Sequence, residues 1–295
     1  VVSPRLALIL KPAAQQSVRL SYNKAFRSPS LVNNYLDTVI VNQINLGLIS
    51  PALSGVTYNF PLRAVGNENL KEESIDSYEV GYSAVIKNRA TVSAAVYYTT
   101  NHDEIFFTQT GRYRASNPPP GWPLPPVVLE ALPPPCTTVV CTTGGLPSEF
   151  SYRNLGTNKN KGFELGIDGA VNQALNLFAN YSFQAERRPD FYKSDINLPP
   201  THRVNVGFNF SRGRYLGNAS VSYVGDAYFQ DVLDARYAGP TEAYTQVNGA
   251  FGVKFLTDKL TGTIKVINLL NQDIQSHVFG DILKRQVIGE VRVNF

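Results

Sequence analysis

Period-two alternation is the feature that most limits what this chain can fold into. It is clearest in KRQVIGEVRVNF, Lys284 to Phe295. Val287, Gly289, Val291, Val293 and Phe295 fall on one face; Gln286, Glu290, Arg292 and Asn294 fall on the other. Successive strand side chains point to opposite sides, so this is a strand with one apolar and one polar face. It ends on an aromatic residue of the apolar face, with no tail after it. The closing strand of a membrane barrel has this form, because apolar side chains meet lipid and polar ones a wet lumen. The last strand of an ordinary sandwich is the competing expectation.

The pattern recurs along the chain. Leu6, Leu8 and Leu10 alternate with Arg5, Ala7 and Lys11, and Val18, Leu20 and Tyr22 with Ser17, Arg19 and Ser21. Tyr78, Val80, Tyr82, Ala84 and Ile86 oppose Glu79, Gly81, Ser83 and Lys87. After a turn at Asn88-Arg89, Val92, Ala94, Val96 and Tyr98 continue the pattern, in a strand that runs on through Phe106 and Phe107. Similar segments begin at Phe163, Leu175, Val204, Ala219, Tyr244 and Leu260. With the closing strand this predicts about eleven strands. Short connections fall near Pro12, Asn88, Gln173, Gly213 and Thr257, and long ones begin near Arg27, Thr108, Arg187, Phe229 and Asn271. From Arg27 to Ser74 the alternation dissolves, and from Thr108 to Ser151 the proline density forbids strand or helix interior. Tight turns at one end and long loops at the other fit a membrane barrel. The polar faces carry Glu79, Glu164, Asp168, Asn180, Arg203, Asn205, Lys254 and Glu290. Burying those in a sandwich core would cost several kcal/mol each unless they were paired. The fold class predicted is all-β, an antiparallel transmembrane β-barrel.

Composition agrees and removes other classes. No run of about 18 apolar residues occurs, so no helical membrane span is expected. The chain has 16 Tyr and 16 Phe against one Trp, a balance that suits strands with aromatic belts. A net charge of +4, with Lys and Arg scattered, gives no basic run for nucleic acid. The chain begins at Val1, contains no Met and shows no signal peptide, so a fragment or processed piece is expected. Cys136 and Cys141 lie close together in the second long loop. In an oxidising compartment they form a disulfide; two unpaired thiols are the alternative.

Little in the sequence points to catalysis, and no enzyme, cofactor or metal centre is expected. His102, His202 and His277 are far apart, and His102-Asp103-Glu104 is the only group positioned to touch a metal. There is no phosphate-cradling glycine loop and no G-x-S-x-G. A hydrolase of the outer membrane would need a Ser-His pair, and His202 with Ser182 is the one pairing that neighbouring strands offer. A passive porin is the other alternative.

Several stretches resemble the C-terminal half of the TonB-dependent outer-membrane receptor barrel. SPRLALILKP (Ser3 to Pro12) is similar to that family's "SPR" strand, and AFRSPSL (Ala25 to Leu31) to its "FRAPS" segment. NENLKEESIDSYEVGY (Asn67 to Tyr82) resembles "NP-LKPE-S-SYELG", with Glu68 for the usual Pro and Glu72-Glu73 for Pro-Glu. NLGTNKNKGFELGID (Asn154 to Asp168) resembles "N-G-A-I-GVE-E". VINLLNQ (Val266 to Gln272) resembles "V-NLFDK", with Asn271 where Asp is common, and Phe295 fits the family's carboxyl end. The resemblance implies that residues 1–295 are the C-terminal part of a barrel of about 22 strands. The N-terminal plug and the first barrel half are then absent. It implies location in the bacterial outer membrane, in contact with its lipid. It implies uptake of a scarce nutrient, a ferric siderophore or similar metal complex, energised by the TonB complex through the plug. For an anionic chelate, aromatic and basic loop residues are the expected contacts: Arg112, Tyr113, Arg114, Trp122 and Tyr237.

Overall fold

A computed structural model describes residues 2–132, 146–190, 196–229, 238–256 and 259–294. The alternating segments become β1 (Arg5–Ala13) and β2 (Gln16–Arg27). A short helix α1 (Leu31–Tyr35) and a hairpin of β3 (Asp37–Asn45) and β4 (Thr57–Val65) follow. Then come β5 (Glu73–Ile86), β6 (Ala90–Arg112), a helical turn α2 (Val128–Ala131) and β7 (Pro147–Ala170). The chain continues through β8 (Leu175–Gln184), β9 (Arg188–Pro189), β10 (His202–Arg212) and β11 (Tyr215–Val224). It finishes with β12 (Ala227–Phe229), β13 (Gly239–Thr241), β14 (Tyr244–Phe255), β15 (Leu260–Ile267) and β16 (Gln286–Val293).

Eleven strands form one antiparallel path, β1-β2-β5-β6-β7-β8-β10-β11-β14-β15-β16, as the alternation predicts. β3, β4 and β9 attach beside this path, and β12 pairs with β13 and bridges to Leu198 through Tyr228. The hairpins β1/β2, β5/β6, β7/β8 and β10/β11 close through short turns at one end, and β14 and β15 are joined at that same end. In the β10/β11 turn Gly213 takes φ +56, the left-handed conformation that tight hairpins require. Lys87 and Asn88 take φ 50 and 53 in the β5/β6 turn. All the long connections lie at the other end.

Register decides the faces. Leu8, Leu20, Val80, Val96, Phe163 and Phe183 follow one another across neighbouring strands in a single row. Leu8, Leu20, Val80 and Val96 are exposed, as are Leu165, Val206, Val221, Ile264 and Val291 on the same side. A continuous apolar face left open to its surroundings is the lipid face of a barrel wall. The opposite face carries rows such as Ser17, Ser83, Ser93, Gly166, Asn180, Asn205 and Ser222. There Ser17 and Ser83 hydroxyls lie 3.2 Å apart, and the Ser222 hydroxyl donates to Asn205 Oδ1 at 3.0 Å.

Two boundaries differ from the sequence expectation. The second long loop is shorter than Thr108 to Ser151, because the β6/β7 ladder continues through Thr108↔Ser151 and Gln109↔Phe150 to Arg112↔Pro147. Pro147 is tolerated as the first residue of its strand, and Phe107 stacks on Phe150 at 5.6 Å and meets Tyr152 at a tilt, with ring centroids 4.8 Å apart. The Arg27 to Ser74 stretch is likewise not without pattern: β3 and β4 pair from Asp37↔Val65 to Asn45↔Thr57. The Cys136/Cys141 pair, Phe295 and the Thr257-Asp258 turn lie outside the described residues.

Candidate functional site

The long connections between β2 and β5 and between β6 and β7 build a folded cap on one rim of the wall. It hangs from β7, where Arg63–Val65 of β4 pair in parallel with Glu149–Ser151. Gly66 packs against the backbone of Asn34 and Tyr35, where a Cβ would meet the Asn34 carbonyl at 2.4 Å. α1 starts at Ser30 in a reciprocal cap with Asn33. Phe60, Leu129, Leu132 and Leu146 form a buried core, with Tyr58, Tyr113, Trp122 and Val128 packed around it. The Tyr58 ring meets Trp122 edge-on at 5.1 Å, and its hydroxyl donates to the Pro120 carbonyl at 2.7 Å. The Tyr113 hydroxyl donates to the Pro61 carbonyl at 2.8 Å. Burial raises the pKa of both phenols, and the neighbouring Tyr113 adds to the rise at Tyr58.

The cap brings together four of the five residues expected to meet a ligand. Tyr113 and Trp122 are partly buried within its core. The Arg112 guanidinium lies 3.9 Å from Glu130, whose other oxygen accepts the Ala115 N–H at 3.0 Å. Arg114 is exposed, and its backbone pairs with that of Asn117. Tyr237 lies outside the described residues.

Below the cap, the polar face lines the wall. Arg27 grips Glu73 with contacts of 2.6 and 2.8 Å, and Glu73 also accepts the Ile105 N–H at 3.0 Å. Glu104 accepts from Asn101 at 2.6 Å and from the fully buried Asn158 at 3.3 Å. Lys265 pairs with Glu290 near the far edge. Aromatic rings on this face lie flat across glycines of the next strand. A Cβ on Gly162 would meet the Tyr97 hydroxyl at 2.5 Å, and one on Gly207 would meet the Phe178 ring at 2.6 Å.

The catalytic and metal groupings come apart. Ser182 pairs in register with Arg203, whereas His202 pairs with Phe183, so the serine and the histidine face opposite sides of the sheet. His202 Nδ1 instead lies 2.9 Å from the Tyr181 hydroxyl. His102 turns toward Asp76 at 3.6 Å on the outer face, while Glu104 turns to Asn101 and Asn158 on the inner one. Asp103 between them takes φ 55. Among the described residues no group of His, Cys, Asp and Glu is disposed to hold a metal ion.

The family model for the TonB dependent receptor-like β-barrel matches residues 1–269. The chain belongs to that family. Its fold is similar to the siderophore receptor PirA of Acinetobacter baumannii, with TM-score 0.67 at 14% identity over 99% of this chain and 41% of that one. It is also similar to a mutant of the ferric enterobactin receptor PfeA of Pseudomonas aeruginosa in complex with enterobactin: TM-score 0.66, 11% identity, 98% and 40% coverage. For the ferric-catecholate import receptor Fiu of E. coli K12 the values are 0.57, 15%, 91% and 30%. The chain therefore spans less than half the length of these receptors. No curated protein matches it by sequence.

The segments that resemble this TonB-dependent receptor family carry asparagines with a common structural task, which the sequence reading did not assign. Asn154 donates to the carbonyls of Lys71 and Asp103 at 3.0 and 2.8 Å, and accepts the Lys71 N–H at 2.8 Å. Asn67 donates to the Tyr152 carbonyl at 3.0 Å. Asn268, 1% exposed, donates to the carbonyls of Gln272 and Leu283 at 2.7 and 3.3 Å, and accepts the Gln272 N–H at 3.2 Å. Asn67 and Asn154 tie the segment between β4 and β5 to β7, and Asn268 ties the connection that follows β15 to its own start and end. An Asn within a quoted motif, just before or just after an alternating run, is the signal that could have found them.

Proposed function

We propose that this chain is the C-terminal part of the barrel domain of an outer-membrane receptor that takes up a ferric siderophore or similar metal chelate, energised by TonB. The observation that carries the reading is a polar wall face continuous with a folded cap, in a member of this receptor family whose fold resembles receptors named for siderophores. The remaining barrel strands and an N-terminal plug come from the rest of the protein. The further strands are needed because β1 and β16 each have one unpaired edge among the described residues. The plug, not this chain, contacts TonB. Arg112, Tyr113, Arg114, Trp122 and Tyr237 are the proposed chelate contacts, with Arg114 the most open of the four described.

The test uses the intact gene under iron limitation, with ferric enterobactin as the first probe in a panel of ferric chelates. Deletion is expected to abolish growth on at least one chelate. Complementation is expected to restore growth only in a strain with functional TonB. Solute entry that persists without TonB would identify a passive pore and overturn the reading.

A further inference from the structure

The outer face changes character near the rim that bears the long connections. In one row across the sheet, Tyr22, Tyr78 and Tyr98 are followed by Lys161. The next row toward the rim reads Lys24, Asp76, Thr100, Lys159 and Arg188. Asp76 is occupied: it accepts from the Tyr22 hydroxyl at 2.6 Å and lies 3.7 Å from Lys24 and 3.6 Å from His102. Asp190, two residues beyond Arg188, holds the Thr157 N–H at 2.6 Å. Lys159, Lys161 and Arg188 are all exposed, and among the described residues none meets a carboxylate. Lys159 and Arg188 sit directly opposite each other in the register, so two like charges share one cross-strand site. Such a pair destabilises a sheet unless an anion lies between them.

The apolar rows that run on from these residues face lipid, and the tyrosine row matches the ring belt found at head-group level. We propose that Lys159, Lys161 and Arg188 form a binding site on the outside of the barrel for the phosphate of a membrane-lipid head group in the leaflet on the loop side. A planar guanidinium grips two phosphate oxygens at once, and two flanking ammonium groups complete the charge balance. The acyl chains then run down the outer face of β7, past Phe163, Leu165 and Ile167. Phosphate binding also removes the repulsion that the register builds into β7 and β9.

The test uses the intact receptor in dodecyl maltoside, which contains no phosphate. Phosphatidic acid is titrated into wild type and into the Lys159→Gln/Lys161→Gln/Arg188→Gln variant. Diacylglycerol with the same chains and inorganic phosphate are the comparison probes. Binding is read by native mass spectrometry, with retention of the heat-modifiable band checking the fold. Phosphatidic acid is expected to bind wild type and to bind the variant about 100-fold more weakly. Diacylglycerol and inorganic phosphate are expected to bind neither form. A second variant, Lys159→Asp, pairs internally with Arg188; it is expected to raise the thermal midpoint of the lipid-free protein and to lose the response to phosphatidic acid. Equal binding to wild type and the triple variant would overturn the proposal. So would diacylglycerol matching phosphatidic acid, inorganic phosphate saturating the site, or Lys159→Asp behaving as wild type.

Discussion

Asn268 holds the last long connection to the wall, and its replacement gives a sharp test of the stapling role. The side chain makes three hydrogen bonds, to Gln272 twice and to Leu283 once, in a position 1% exposed. Each is worth about 1 kcal/mol net. The residue also sits at φ 55, a left-handed conformation that costs an ordinary side chain about 1 kcal/mol and that Asn tolerates. Asn268→Ala therefore costs about 4 kcal/mol locally, and Asn268→Gly about 3, since glycine removes the backbone strain alone. The effect is confined to the loop, because the Asn268 N–H keeps its bond to Asn248 Oδ1 and the Leu269 N–H its bond to the Val247 carbonyl. Amide hydrogen exchange on the intact receptor reads this directly. The amides of Gln272, Ile274, Leu283 and Arg285 are expected to exchange on the order of 1,000-fold faster in the alanine variant, while those of β14 are unchanged. Unchanged protection in the alanine variant would refute the reasoning. Wild-type protection in the glycine variant would show that backbone strain, not side-chain bonding, sets the loop.

In the intact receptor, Arg at Val206, Phe208 or Val221 should cost about 2–4 kcal/mol near the bilayer midplane, and Arg at Asn205 or Ser220 almost nothing, by urea unfolding; equal costs on both faces would contradict the lipid assignment. Gly207→Val should cost about 1–3 kcal/mol in the same assay, because a Cβ there meets the Ala219 carbonyl at 2.4 Å. Gly217→Ala, whose nearest neighbour is 3.6 Å away, should be close to neutral. The raised pKa values of Tyr58 and Tyr113 stabilise the cap at pH below the ordinary tyrosine value of 10.0. That contribution is lost as pH rises through their higher folded values, so protease should cut the cap faster above about pH 10, and pH-independent cleavage there would count against it. Residues 1–295 expressed alone should aggregate, because unpaired backbone at β1 and β16 costs several kcal/mol per group in hydrocarbon; a detergent-stable, heat-modifiable monomer of this length would show that the sheet closes without further strands.

The wall was legible because each membrane strand solves the same problem. One face meets lipid and the other water, so Val80, Tyr82 and Val96 must alternate with Glu79, Gly81 and Ala95 over many residues. The β3/β4 hairpin obeys the same rule and was still missed. In β4, Phe60, Leu62 and Ala64 are buried while Thr57, Asn59 and Arg63 are exposed. Pro61 lies between them and reads as a strand breaker. It is tolerated because the neighbouring contact to β7 begins only at Arg63, which leaves Pro61 beside an open edge where its carbonyl accepts from Tyr113. The pattern there belongs to a half-buried ribbon packed on a small core, and a proline that would end a central strand does not end it.

The candidate contacts were harder to read for a related reason. Aromatic and basic residues in a long loop serve two needs that composition cannot separate. A loop of this length must bury some surface of its own to hold one conformation against its entropy, and the rings available for that are the same rings that would grip a ligand. Tyr113 and Trp122 are committed to the core formed with Phe60 and Leu129, and Arg112 reaches to Glu130. Their replacement therefore acts on the cap before it acts on any ligand. Arg114 is outside that core and exposed. Loss of chelate binding in Arg114→Gln with the cap's protease resistance intact would report contact, whereas the same loss in Trp122→Ala would not distinguish contact from collapse of the cap.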